Sequence, residues 1–88
     1  MEITGVKITL RDETRLKAFA SITFDDCFVV RGLRVIDGEN GLFVGMPSRK
    51  LGDGSFKDIA HPLNNETRKK VEEAVLNEYK KALKSSEQ

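Results

Sequence analysis

Two kinds of side chain in this 88-residue sequence could carry chemistry: a single histidine beside a carboxylate, and several short groups of cations. His61 follows Asp58 by three residues, and an Asp–His pair can serve as an oriented general base. Such a base needs a nucleophile within hydrogen-bond reach, and the candidates, Ser48 and Cys27, are not its neighbours in the sequence. A histidine just before Pro62, at the end of a strand, reads more simply as a structural residue bonded to a backbone group. Cys27 lies between Asp26 and Phe28, with no adjacent cation to hold a thiolate. Asp37, Glu39, Asp53 and Asp58 are scattered and lack metal-ligand spacing. No catalytic residue, metal site or cofactor is therefore expected, and the chain reads as a non-enzyme.

The cations point elsewhere. Ser48-Arg49-Lys50 follows Pro47 and has no acidic residue near it until Asp53. Gly52-Asp53-Gly54 is the strongest hairpin signal in the chain. If that turn centres on Asp53-Gly54, Lys50 faces Lys57 across the hairpin, and like charges directly opposite each other cost stability unless an anion joins them. Gatekeeper charges that blunt an exposed strand edge explain the same residues equally well. Arg68, Lys69 and Lys70 lie in the first third of a helical segment, where the helix dipole offers cations nothing. Backbone N–H groups at a helix start, with basic side chains close by, outline a phosphate site. Glu72 and Glu73 could instead neutralise them locally. Lys80, Lys81 and Lys84, near the other end, need no explanation beyond the dipole.

Composition limits the alternatives. Apolar residues make up 39% and charged residues 33%, as in a globular protein with a heavily charged exterior. Net charge is only +1, so any basic surface must be made by folding. A single cysteine excludes an internal disulfide. No apolar run approaches the ~18 residues that a membrane helix needs, and no signal peptide is evident, so a reducing cytoplasm is expected.

The elements that would position these residues follow from periodicity. Strands are expected over residues 2–10, 16–24, 27–36, 42–46 and 55–60, with a bulge near Thr4-Gly5 and a tight turn at Asp25-Asp26. Leu16, Ala18, Ala20, Ile22 and Phe24 share one face of the second strand. The third strand is apolar on both faces, so both should be covered, and Gly32 invites a bulge or a close backbone approach. Gly45 should sit where a side chain has no room, and Pro47 ends the fourth strand by removing a ladder donor. Short connectors imply antiparallel neighbours. Asn64 or Asn65 caps a helix over residues 65–84, with Val71, Val75, Tyr79 and Ala82 at helical spacing. The fold class is thus α+β: an antiparallel β-meander of about five strands followed by one long C-terminal helix. Residues 1–84 form one domain and 85–88 a frayed end. Most of the five Phe fall on positions that read as core, so no base-stacking platform is expected. A small core, the two-sided third strand, and Leu76 and Leu83 outside the main helix stripe favour a homodimer.

Several long stretches resemble one family. GLFVGMPSRK and DGSFKDIAHPLN, with EITGVKI and LKAFASITFDD before them and TRKKVEEAVLNEY after, are similar to the signature of the stage V sporulation protein G family. The resemblance implies a small cytoplasmic bacterial regulator that forms homodimers, built on an antiparallel sheet with a C-terminal helix. It also implies binding of DNA, and of RNA in some members, with roles in septation, sporulation and gene expression. Charge and resemblance together make Arg49, Lys50, Lys57, Arg68, Lys69 and Lys70 the expected nucleic-acid contacts. The alternative is a septation-linked adaptor that binds another protein and no nucleic acid.

Overall fold

Alternation along β2 (Leu16–Phe24) decides where the core lies. In the computed structural model, which describes residues 1–86, Ala18, Ala20, Ile22 and Phe24 of this strand are all buried on one face. Strands β1 (Ile3–Leu10) and β3 (Phe28–Gly38) flank it, and β4 (Gly41–Gly45) pairs with β3. The four form one antiparallel sheet in sequence order. Helix α1 (Asn65–Ser86) lies across the buried face, setting Val71, Val75 and Tyr79 against Leu33, Val35, Val44 and Met46. Truncating a fully buried side chain here, Ile22 or Leu33 for example, should cost about 2–5 kcal/mol.

Local backbone chemistry explains the joints. Asp25 and Asp26 are left-handed, at φ 49° and 54°, as a tight hairpin turn demands. That turn holds the chain start: Glu2 N–H donates to Asp25 Oδ1 at 2.9 Å and Asp26 N–H to Thr4 Oγ1 at 2.9 Å. A register shift between Ile3 and Gly5 is the bulge expected there. A second bulge falls between the pairs Ala20–Leu33 and Ile22–Val30, where β3 carries one residue more than β2. Gly32 occupies it at φ +86°, and buried Pro47 packs beside it. The Asn64 side chain caps α1, accepting from Thr67 N–H at 2.7 Å.

The α+β class holds, with one change of architecture. Instead of a fifth strand joining the sheet, β5 (Ser48–Lys50) and β6 (Phe56–Asp58) make a separate two-stranded hairpin. Ser48–Lys50 is therefore itself a strand, and Phe56–Asp58, within the strand expected over residues 55–60, is its partner. Pro47, which has no N–H to donate, takes the chain out of the main sheet. Cys27 belongs to the turn before β3 and is exposed. Leu76 and Leu83 are not surplus, for both pack partly buried against the core. Nor is β3 covered on both faces along its length, since Phe28 and Val29 are exposed. Ser85 and Ser86 continue the helix, while the rest of the expected frayed end lies outside the described residues.

Candidate nucleic-acid interface

Arg49, Lys50 and Lys57 sit on an arm that stands apart from the sheet. A tight turn closes its tip: Leu51 N–H donates to Ser55 O at 2.7 Å and Gly54 N–H to Leu51 O at 3.0 Å, with Gly54 at φ +89°. Asp53 Oδ1 accepts from both Ser55 N–H, at 2.9 Å, and Ser55 Oγ–H, at 2.6 Å. These bonds, the hydroxyl first, hold the Asp53 carboxyl below its usual pKa. At the base, Ile59 N–H donates to Pro47 O at 2.7 Å, and Arg34 Nη2 donates to Ser48 Oγ at 3.1 Å. The tip and the base are both hydrogen-bonded, while the faces of the arm remain in solvent.

Register on the arm differs by one from the expectation. Arg49 faces Lys57, and Lys50 faces Phe56. The like-charge pair exists, but its members are Arg49 and Lys57. Both are exposed, and neither forms an ion pair among the described residues.

The helix-start cations divide. Lys70 Nζ lies 3.8 Å from Glu66 Oε1, an (i, i+4) pair, so one turn of helix already offers it a counter-charge. The neutralising partner is Glu66 of the first turn, not Glu72 or Glu73. Arg68 is half-buried and Lys69 exposed, and neither has a carboxylate partner among the described residues. No hydrogen bond or ion pair among the described residues links arm cations to helix cations. Between the arm base and α1 lies a groove of about 180 Å³ whose walls include Pro47 and Ala60 on one side and Thr67 and Val71 on the other, with none of the six cations in its lining. His61 is exposed on its rim, and its Nδ1 lies 3.0 Å from the Pro62 carbonyl oxygen, to which it donates. That is the structural role expected of it.

The groove and its surroundings were not foreseen. Phe28 (65% exposed) is in its lining, and Ile59 (67%) and Leu63 (92%) flank the lining segment Ala60–Pro62 along the chain. The aromatic residues overturn an expectation too. Four of the five Phe are exposed rather than core: Phe19, Phe28, Phe43 and Phe56. For Phe19 the signal was present, since it falls out of phase with Ala18, Ala20 and Ile22 and must point to the opposite face.

The SpoVG family model matches residues 1–81, most of the described chain. The chain belongs to the SpoVG family. Among its relatives is the "Putative septation protein SpoVG" of Bdellovibrio bacteriovorus, 58% identical over 85 residues, covering 97% of this chain and 79% of that protein. The protein of the same name from Caldanaerobacter subterraneus subsp. tengcongensis is 57% identical over 83 residues, covering 93% and 91%. That of Caldicellulosiruptor bescii is 50% identical over 88 residues, covering 99% and 100%. The SpoVG match takes in the sheet, the arm and most of α1, so all six candidate cations lie within it. No helix among the described residues is long and apolar enough to cross a membrane.

Proposed function

We propose that this SpoVG-family chain is a cytoplasmic, non-enzymatic regulator of the septation and sporulation type that binds nucleic acid, DNA and also RNA, as a homodimer. One observation carries the reading: Arg49 and Lys57 face each other on an exposed arm, and among the described residues no carboxylate is paired to either. Two cations held opposite each other repel, and a phosphate between them relieves the repulsion. Lys50, Arg68 and Lys69 extend the basic surface, with Lys70 a weaker contributor because Glu66 competes for it. Such contacts neutralise phosphates and position the ligand without reading base sequence. Binding of labelled DNA and RNA pools at two salt concentrations tests this. Affinity that falls steeply with salt is expected, and no binding at low salt would end the reading.

The homodimer rests on the apolar side of the molecule. An isolated two-stranded hairpin is marginal in water, yet this one and the segment after it expose Phe56, Ile59 and Leu63. The apolar groove is lined in part by Ala60, His61 and Pro62, the stretch between Ile59 and Leu63. A chain bearing both exposed apolar side chains and an apolar hollow suits a second copy related by a two-fold axis. The same groove supports the other reading, a protein adaptor, if the chain is monomeric and binds no nucleic acid.

A further inference from the structure

The face of the four-stranded sheet turned away from α1 is open and has its own chemistry. Strand alternation places Lys7 and Thr9 of β1, Phe19 and Ser21 of β2, Arg34 of β3 and Phe43 of β4 on it. Phe19 is 38% exposed and Phe43 45%. Phe19 pairs with Arg34, and Phe43 pairs with Ile36, two residues further along β3. Strand spacing and rise put the two aromatic Cα atoms about 12 Å apart, with Arg34 between them.

A Cβ on Gly38 would come within 2.8 Å of Phe43 Cε1 and 3.2 Å of its Cδ1, so the ring packs against bare glycine backbone while nearly half of the residue stays in solvent. The Arg11 guanidinium lies over the Phe19 ring, 5.6 Å from its centroid, at cation–π distance, so a base stacking there takes the place of Arg11. No carboxylate occupies a strand position on this face. Asp37, the one acidic residue on these four strands, alternates to the other face with Val35, while Asp12, Glu13 and Glu39 are on connectors and Glu13 is paired with Arg11 at 3.2 Å.

From this juxtaposition we infer that the helix-free sheet face is a second nucleic-acid site, a platform on which Phe19 and Phe43 stack unpaired bases while Lys7 and Arg34 hold the backbone. Its ligand is single-stranded nucleic acid, because duplex bases are already stacked and cannot lie on a side chain. Exposed aromatic rings, cations and absent carboxylates form the complement of a polyanion with exposed π-faces. An apolar protein partner would not call for that charge. The inference rests on the nucleic-acid reading above and adds to it a ligand class that the arm cations alone do not select.

The test uses the full chain, a fluorescein-labelled oligothymidylate and a random-sequence duplex of equal length. Phe19→Leu and Phe43→Leu keep an apolar side chain at exposed positions and remove the ring. Each should weaken single-strand binding roughly fivefold or more while duplex binding holds. The chain has no tryptophan, so Phe43→Trp supplies a lone reporter whose fluorescence the oligothymidylate should quench by stacking. Unchanged single-strand affinity in the double leucine variant, with no quenching in Phe43→Trp, overturns the platform alone. Loss of dimer mass in the double leucine variant, with single-strand affinity intact, overturns it in favour of a second copy on this face. Failure of the wild-type chain to bind either probe overturns the nucleic-acid reading and the platform with it.

Discussion

Reversing Arg49 and Lys50 to glutamate should move stability and binding in opposite directions. Arg49 faces Lys57 across the arm, so Arg49→Glu replaces a like-charge pair by an opposite-charge pair, a gain of about 0.2–1 kcal/mol. Lys50 is exposed and without an ion pair among the described residues, so its reversal should shift stability by no more than about 0.5 kcal/mol. The double variant should therefore unfold at the same urea concentration as the parent, or a slightly higher one. Binding should fall. Two lost phosphate contacts flatten the log–log salt dependence by about 1.8 for duplex DNA, or roughly sixty-fold in affinity at 0.1 M salt. Repulsion from the new carboxylates adds to this. Lys80→Glu with Lys84→Glu makes the same change in net charge on the exposed far end of α1. That variant should lose about 0.3–1 kcal/mol of dipole-linked stability at Lys84 and keep most of its binding. Fluorescence anisotropy across a salt series, paired with urea unfolding, reads both quantities. Equal loss of binding in the two variants would refute the reasoning, because diffuse charge and not the arm would then be responsible. No loss in either would leave the adaptor as the better account.

Light scattering at micromolar concentration should return about twice the 9.9 kDa chain mass, and Ile59→Asp with Leu63→Asp should return one chain with its fold intact; a folded wild-type monomer would refute the dimer. Gly45→Val should cost about 1–3 kcal/mol in urea unfolding, because a Cβ there already comes within 3.3 Å of Ile36 Cδ1, and an unchanged midpoint would show that Ile36 simply moves aside. Because folding lowers the Asp53 pKa, its contribution to arm order is present above the unfolded value near ~3.9 and lost as pH falls through the lower folded one. The protection of the Ser55 amide, its exchange measured against an unfolded chain at the same pH, should therefore fall only at acid pH. In Ser55→Ala the Asp53 carboxyl should titrate closer to its ordinary value, and an NMR titration showing no change would reject the hydroxyl as the main cause.

What could be read from the sequence alone was set by interactions close along the chain. The phase of Ala18, Ala20, Ile22 and Phe24, the Asn64 cap, the Asp25-Asp26 turn and the bulge at Gly32 depend on backbone geometry within a few residues. The cations of the candidate site were visible for the same reason, since their departure from dipole and pairing rules is local. Tertiary structure decided which surfaces went uncovered. Alternation says that Phe19 and Ala18 face opposite ways, but only the placement of a single helix on one side leaves Phe19 and Phe43 in solvent. Pairing partners were decided at the same level. β5 could extend the main sheet or fold back on β6, and Pro47 together with the Asp53–Ser55 turn settles that competition between distant and near partners. The register that sets Arg49 rather than Lys50 against Lys57 follows from how that turn closes. A one-residue slip in a strand exchanges its two faces, so composition and spacing could mark the basic arm without saying which of its cations stand opposed.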